Sequence, residues 1–236
     1  MLPKFTTPAE AIELEAAMVE RLRDPSVTHD LQFWTTTQSL IVPASIKRNV
    51  NFDKACSEMQ NSGWPLQVRK TGGGATPQGP GILNVALTYA PHPSEKPTIH
   101  GVYDMFCTPL KQLLQTLGID ASTAKVPNSF CDGEYNIVAN RQKVMGTAQR
   151  WSRVPGVDFR QLVFAHALIL LDAELTACIE AVNDLHRICE LEPGIQVDAH
   201  ANLIQLAAEN GHNVDQQVVV DTLETLYRNE LVALTA

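Results

Sequence analysis

Hydrophobic and polar residues alternate along this chain in two rhythms, one helical and one extended. Near the N-terminus Ile12, Ala16, Val19 and Leu22 repeat at helical spacing. Thr7-Pro8-Ala9-Glu10, just ahead of them, has the chemistry of a helix start: a capping hydroxyl, a proline for the first turn and a glutamate that completes a capping box. Pro25 ends the run. Leu31 to Val42 is rich in Phe, Trp, Thr and β-branched residues and reads as extended. A second helix is expected from Asn51 through Met59, stopping near Ser62-Gly63, with Leu66-Gln67-Val68 as a short strand beyond it.

Further along, Ile82 to Tyr89 reads as a strand, and His100 to Leu117 as a helix stopped by Gly118. Tyr135 to Ala139 and Lys143 to Gln149 predict a hairpin with Asn140-Arg141-Gln142 at its turn. Arg160 to Leu171 is mostly apolar, which predicts a central strand covered on both faces. From Ala173 to Leu231 the pattern is helical, broken at Glu192-Pro193-Gly194 and near Gly211. No internal repeat or low-complexity tract interrupts it. The expectation is an α/β (α+β) fold, a mixed sheet with flanking helices, in a single domain over residues 1–236 that turns helical from about residue 172.

Composition narrows the function. Hydrophobic residues make up 44% of the 236 and charged residues 19%, as in an ordinary globular protein. The formal net charge is −8 and no block of Lys or Arg interrupts it. Nucleic acid binding, which needs a positive surface to displace counterions, is therefore not expected. Arg69–Lys70, Arg141–Lys143 and Arg150–Arg153 do cluster mid-chain, which suits a small anionic ligand or an acidic protein partner. The N-terminus lacks the charged region and apolar run of a signal peptide. No segment approaches the roughly 18 consecutive apolar residues of a membrane span. The five cysteines are widely spaced and form neither a disulfide framework nor a zinc motif. A cytoplasmic protein with no metal and no membrane partner is the expectation.

Two segments carry candidate chemistry. In Arg69-Lys70-Thr71-Gly72-Gly73-Gly74-Ala75-Thr76, three consecutive glycines mark either a mobile surface loop or a backbone that approaches a ligand closely. Their amides can face a carbonyl, carboxylate or phosphate oxygen. The spacing fits neither a Walker loop nor a dinucleotide fingerprint. The second segment runs from Cys131-Asp132-Gly133-Glu134-Tyr135 through Lys143-Val144-Met145-Gly146-Thr147-Ala148-Gln149-Arg150. Cys131 falls in a loop just before a strand, where a thiol is reachable; burial as a small hydrophobe is the alternative. Lys143, across the tight turn, reads either as a cation brought near that thiol or as an exposed lysine on an edge strand.

In this order the two segments resemble the lipoate–protein ligase and octanoyltransferase superfamily. Arg69 through Leu87 is similar to its glycine-loop signature, and Tyr135 to Arg150 to its hairpin ending in lysine and Gly-Ser/Thr-Ala-Gln-Arg. The resemblance spans most of residues 10 to 230 and implies a biotin/lipoate ligase-like catalytic domain. Ser129 to Tyr135 and Gly81-Ile82-Leu83-Asn84 look closest to the branch in which a cysteine carries the acyl group as a thioester. Two departures stand out: Gln78 replaces a histidine common in the ligases, and little chain remains after Leu171 for their extra C-terminal domain.

The resemblance implies a lipoyl or octanoyl transferase acting on lipoyl carrier domains or the glycine-cleavage carrier protein. Cys131 would be the nucleophile, and Lys143 would favour its thiolate and hydrogen-bond the acyl carbonyl. Arg69, Gly72, Gly73, Gly74, Thr76, Gly81, Asn84, Gly146, Thr147, Ala148 and His166 would form the substrate site, with His166 a proton shuttle or a structural group. Val85 and Val144 are candidates to line an acyl tunnel. Lipoate or octanoate would be the acyl substrate, with no cofactor needed for transfer. The alternatives are an ATP- and Mg-dependent lipoate ligase, in which Cys131 is incidental, and a non-catalytic acyl-binding protein.

Overall fold

Thr7 caps the first helix as its sequence demands: in the computed structural model its hydroxyl accepts the Glu10 N–H while Glu10 returns a bond to the Thr7 backbone. The structure describes residues 3–70, 72–91, 97–153, 161–192 and 194–235, with side chains as far as Leu231. Thr71, Arg160 and Pro193, which the sequence reading used, lie outside the described residues.

In chain order the elements are β1 (Lys4–Thr6), α1 (Pro8–Arg21), β2 (His29–Thr36), β3 (Ser39–Pro43), α2 (Phe52–Asn61), β4 (Leu66–Arg69), β5 (Thr76–Gln78), β6 (Ile82–Tyr89) and α3 (Ile99–Thr116). There follow β7 (Ser122–Ala124), β8 (Asn136–Ala139), β9 (Gln142–Arg153), β10 (Gln161–Leu170), α4 (Leu175–Ile188), α5 (Leu203–Glu209) and α6 (Gln216–Thr235). Among the described residues, seven strands form one mixed sheet in the order β1-β2-β6-β10-β9-β8-β7, parallel only between β1 and β2. A second sheet, β4-β3-β5, stands apart from it. The fold class expected from the sequence is the one observed. Among the described residues, no helix is long and apolar enough to cross a membrane.

Two expectations change. Leu31 to Val42 is not one extended run: it breaks after Thr36, and its halves join different sheets. The hairpin turn is shorter than expected, because Asn140 and Arg141 both take positive φ (50° and 66°) and close a two-residue turn. Gln142 already pairs with Ala139.

Strand alternation divides the chemistry. On β6 and β10, Leu83, Val85, Leu87, Val163, Ala165, Ala167 and Ile169 face a core shared with α3, α5 and α6. The opposite side carries Asn84, His166 and Leu168, under α1 and the small sheet. On β9 the alternation is interrupted. Ile137 pairs with Met145 but Val138 with Lys143, so Val144 is an extra, bulged residue. Val144 and Met145 both enter the core, and Lys143 and Gly146 come to the same side although three residues apart.

Candidate active site

The glycine loop is organised by Arg69 at the end of β4. Its guanidinium donates to the Gly72 carbonyl (2.9 Å), the Gly74 carbonyl (2.8 Å) and the Thr76 hydroxyl (3.1 Å). With the carbonyls drawn to Arg69, the Gly74 N–H turns to the Cys131 sulfur at 3.2 Å, and Arg69 Nη2 lies 3.8 Å from the same sulfur. Both donors suit a thiolate. A Cβ on Gly73, whose φ is +98°, would stand 2.8 Å from that sulfur, and one on Gly74 would stand 3.3 Å from Cys131 Cα. Glycines are needed here because Cys131 occupies the space that side chains would take.

Cys131 itself has a φ of +46°, a conformation rare outside glycine. Such an outlier costs about 1–3 kcal/mol and persists only where its surroundings impose it. The loop is tied down by Asp132, whose carboxylate accepts the Val126 N–H and the Asn136 amide, both at 2.8 Å.

Lys143 is fully buried. Its ammonium donates to the Phe130 carbonyl (2.6 Å) and the Cys131 carbonyl (3.2 Å), and lies 4.6 Å from the centre of the Phe130 ring. Two of its three protons are thus used, leaving one for a ligand. Burial lowers its pKa to about 8. The lysine meets the backbone of Cys131 and shares a cleft with its side chain.

Two clefts meet at this point. One, enclosing about 360 Å³ partly open to solvent, joins Phe130, Cys131, Lys143, Gly146, Thr147, Ala148 and Leu168 to Arg69, Thr76 and His166. The other, about 440 Å³, shares Arg69, Thr76 and His166 and continues beneath α1 between Ala11, Ile12, Trp34 and Ile41. The second cleft holds a reciprocal amide pair, Gln78 with Asn84, at 2.8 and 2.9 Å. It also holds Glu15, whose carboxyl burial pushes up to about 7. Burial pushes His166 down to about 4, so its imidazole is neutral at pH 7. Among the described residues, no group of three or more His, Cys, Asp and Glu could hold a metal ion.

Of the residues singled out in the sequence, Arg69, Gly74, Thr76, Cys131, Lys143, Gly146, Thr147, Ala148 and His166 come together, with Asn84 in the second cleft. Gly73 backs the Cys131 sulfur, and Gly72 supplies a carbonyl to Arg69 with nothing packed over its Cα. Gly81 does not join them; its Cα faces the Asp172 carbonyl at the start of β6. Val85 and Val144 line neither cleft, because alternation on β6 and the bulge on β9 turn both into the α3–α6 core. The apolar walls are Ala11, Ile12, Trp34 and Ile41 instead. Glu15, Trp34 and Phe130 were missed by the sequence reading. The spacing of Ile12 and Glu15 by one helical turn is the one local signal for the first.

Residues 7–227 match the family described as lipoyl protein ligase A/B catalytic domain. An uncharacterized protein of Cupriavidus necator is 33% identical over 204 residues, 83% of this chain and 73% of its own length. The octanoyl-GcvH:protein N-octanoyltransferase of Kyrpidia tusciae is 32% identical over 167 residues, 70% of this chain and 57% of its own. Among solved structures, lipoate-protein ligase A bound with ATP superimposes with a TM-score of 0.70, covering 98% of this chain and 84% of that one at 21% identity. A putative lipoate protein ligase from T. acidophilum with bound lipoic acid does so at 0.68, with the same coverage and 20% identity. These two share the fold. Matched along nearly its whole length, with the glycine loop and the lysine hairpin folded onto one cleft, the chain belongs to the lipoyl protein ligase A/B catalytic domain family.

Proposed function

We propose that this protein is an acyltransferase that moves a lipoyl or octanoyl group to a lysine of a lipoyl carrier domain or glycine-cleavage carrier protein, through a thioester on Cys131. The observation that carries this reading is the setting of the Cys131 sulfur, with the Gly74 N–H and Arg69 behind it and the Lys143 cleft beside it. The acyl chain lies in the cleft between Ala11, Ile12, Trp34 and Ile41.

The Cys131 thiolate attacks the acyl carbonyl, and the carbonyl π pair moves to oxygen. The remaining N–H of the buried Lys143 ammonium donates to that oxyanion. As the tetrahedral adduct collapses, the donor's leaving group departs with the proton Cys131 gave up. The acceptor lysine amine then attacks the thioester, forms the amide and expels Cys131. Neutral His166, at the wall common to both clefts, takes the amine's proton and passes it to the sulfur. The exchange conserves acyl bond energy, so no ATP or metal enters the balance. Reduced cysteines throughout accord with a cytoplasmic site of action.

The names of the Kyrpidia relative and of the lipoyl-GcvH:protein N-lipoyltransferase of Listeria monocytogenes (21% identical over 155 residues) support a GcvH-type carrier as partner. The test is incubation with octanoylated carrier protein without ATP, followed by intact-mass spectrometry. A thioester adduct that forms on the wild type and is absent in Cys131→Ser is the expected result. No adduct, together with ATP-dependent lipoylation that survives Cys131→Ser, would make the protein a ligase and overturn the reading.

A further inference from the structure

Asp132 ties the loop that presents Cys131 from within, and a second hold comes from outside it. Asn128 and Cys131 both sit at positive φ (64° and 46°), and neither is glycine. That second hold is a segment some seventy residues later in the chain. The Gln196 N–H donates to the Asn128 carbonyl at 2.9 Å, and the Asn128 amide donates to the Gln196 side chain at 3.3 Å. His200, buried, stacks its ring on Phe130 with centroids 4.7 Å apart and planes 9° apart. Its Nε2 accepts the Phe130 N–H at 3.2 Å, and its Nδ1 donates to the Gln196 carbonyl at 2.9 Å. These partners fix one neutral tautomer.

The same segment grips the other half of the site. The Ala201 N–H donates to the Lys143 carbonyl at 3.0 Å, and the Gln142 amide donates to the carbonyls of Asp198 (3.0 Å) and His200 (3.1 Å). Phe130, the residue before the nucleophile, is therefore held at its N–H by His200 and at its carbonyl by the Lys143 ammonium.

We infer that His200 is a positioning residue: through the Phe130 peptide it sets the backbone of Cys131, and through its own strand-like bridge to Lys143 it fixes where nucleophile and lysine meet. His200 lines neither cleft. Its effect is on the chemical step and not on donor binding. The inference rests on the acyl-transfer reading for its kinetic consequence, and on geometry alone for the placement of the thiol.

The experiment therefore has two readouts. The first is the rate at which iodoacetamide alkylates Cys131, followed by peptide mass spectrometry, which needs no acyl donor. The second is the thioester-forming rate against donor concentration. His200→Leu is expected to slow both by about tenfold or more, with the apparent KM for donor within about twofold of wild type. His200→Gln, whose amide can accept from Phe130 and donate to Gln196, is expected to recover most of both rates. Gln142→Ala, which loosens the same segment from the hairpin side, gives a smaller loss of the same kind and serves where His200→Leu does not fold. Wild-type alkylation and turnover in folded His200→Leu would overturn the inference. A folded His200→Gln as impaired as the leucine variant, or wild-type rates in Gln142→Ala when the leucine variant does not fold, would do the same. A wild type that forms no thioester, while alkylation still depends on His200, would refute the acyl-transfer reading and leave the positioning role standing.

Discussion

Gly146 and Lys143 share one face of β9, and the lysine fills the space a side chain on the glycine would take. A Cβ on Gly146 would stand 3.1 Å from Lys143 Cε and 3.2 Å from Nζ. The ammonium has little room to retreat, because the Phe130 carbonyl holds it from the other side. Gly146→Ala is therefore expected to displace the lysine by a few tenths of an ångström and to lower the single-turnover acyl-transfer rate about tenfold or more. Stability should change by less than about 1 kcal/mol, since the strand backbone needs no glycine there. An unchanged rate would mean that the lysine position is not critical.

Gly81 predicts the opposite pattern. Its φ is +76°, and a Cβ would fall 2.1 Å from the Asp172 carbonyl oxygen, while its own carbonyl accepts the Leu171 and Asp172 N–H groups. Gly81→Ala should cost more than about 3 kcal/mol in urea unfolding, combining left-handed strain with a backbone overlap. Whatever protein remains folded should transfer acyl groups at close to the normal rate.

Lys143 ties stability and activity to pH in opposite directions. Its folded pKa is about 8 against an ordinary 10.5, so between those values the unfolded chain holds a proton that the folded chain has lost. Stability therefore rises with pH across that window. Transfer that depends on the ammonium falls as pH rises through about 8. Urea midpoints at pH 7 and 9.5 for wild type and Lys143→Met, paired with single-turnover rates of the wild type, check both. The methionine variant should lose this part of the rise in stability.

Glu15 adds a lower window. Its pKa is raised from 4.5 to about 7 by burial, so the folded chain keeps a proton that the unfolded one releases between those values. Its contribution to stability falls as pH rises through the window. Glu15→Gln should flatten that fall and raise Tm at pH 8. A Tm at pH 8 that drops in Glu15→Gln would show the carboxylate to be paired by Arg69 or Arg150 more strongly than burial opposes it.

Much of this fold is legible in the residues. The Thr7–Glu10 capping box, the Ile82–Tyr89 strand and the helix closed at Gly118 stand where their local chemistry puts them. The strands β1, β5 and β7 are three residues each, too short to carry a period, and appear only once neighbours supply hydrogen bonds. No glycine or proline marks the break at Thr37-Gln38, so the parting of β2 from β3 was invisible. In the site, neither the glycine loop nor the cysteine–lysine hairpin decides anything separately, and the signal is their order along the chain. Val144 misled because a bulge, which sequence period does not report, decides which face of β9 meets the cleft. Trp34 and Glu15 reach the site only through the packing of α1 on the large sheet.

The separation of the two sheets has a consequence for how such a protein can be altered. Arg69 and the glycine loop hang from the β4-β3-β5 sheet, whereas Lys143 and His166 are built into the seven-stranded one. Among the described residues no strand ladder joins the two sheets, and residues 39–78 meet the seven-stranded frame instead through side chains, Leu40, Val42, Ala55 and Met59 packing with Leu168, Leu170 and α4. A graft of the corresponding segment from a relative would replace the groups behind the sulfur while leaving every strand register of the frame intact.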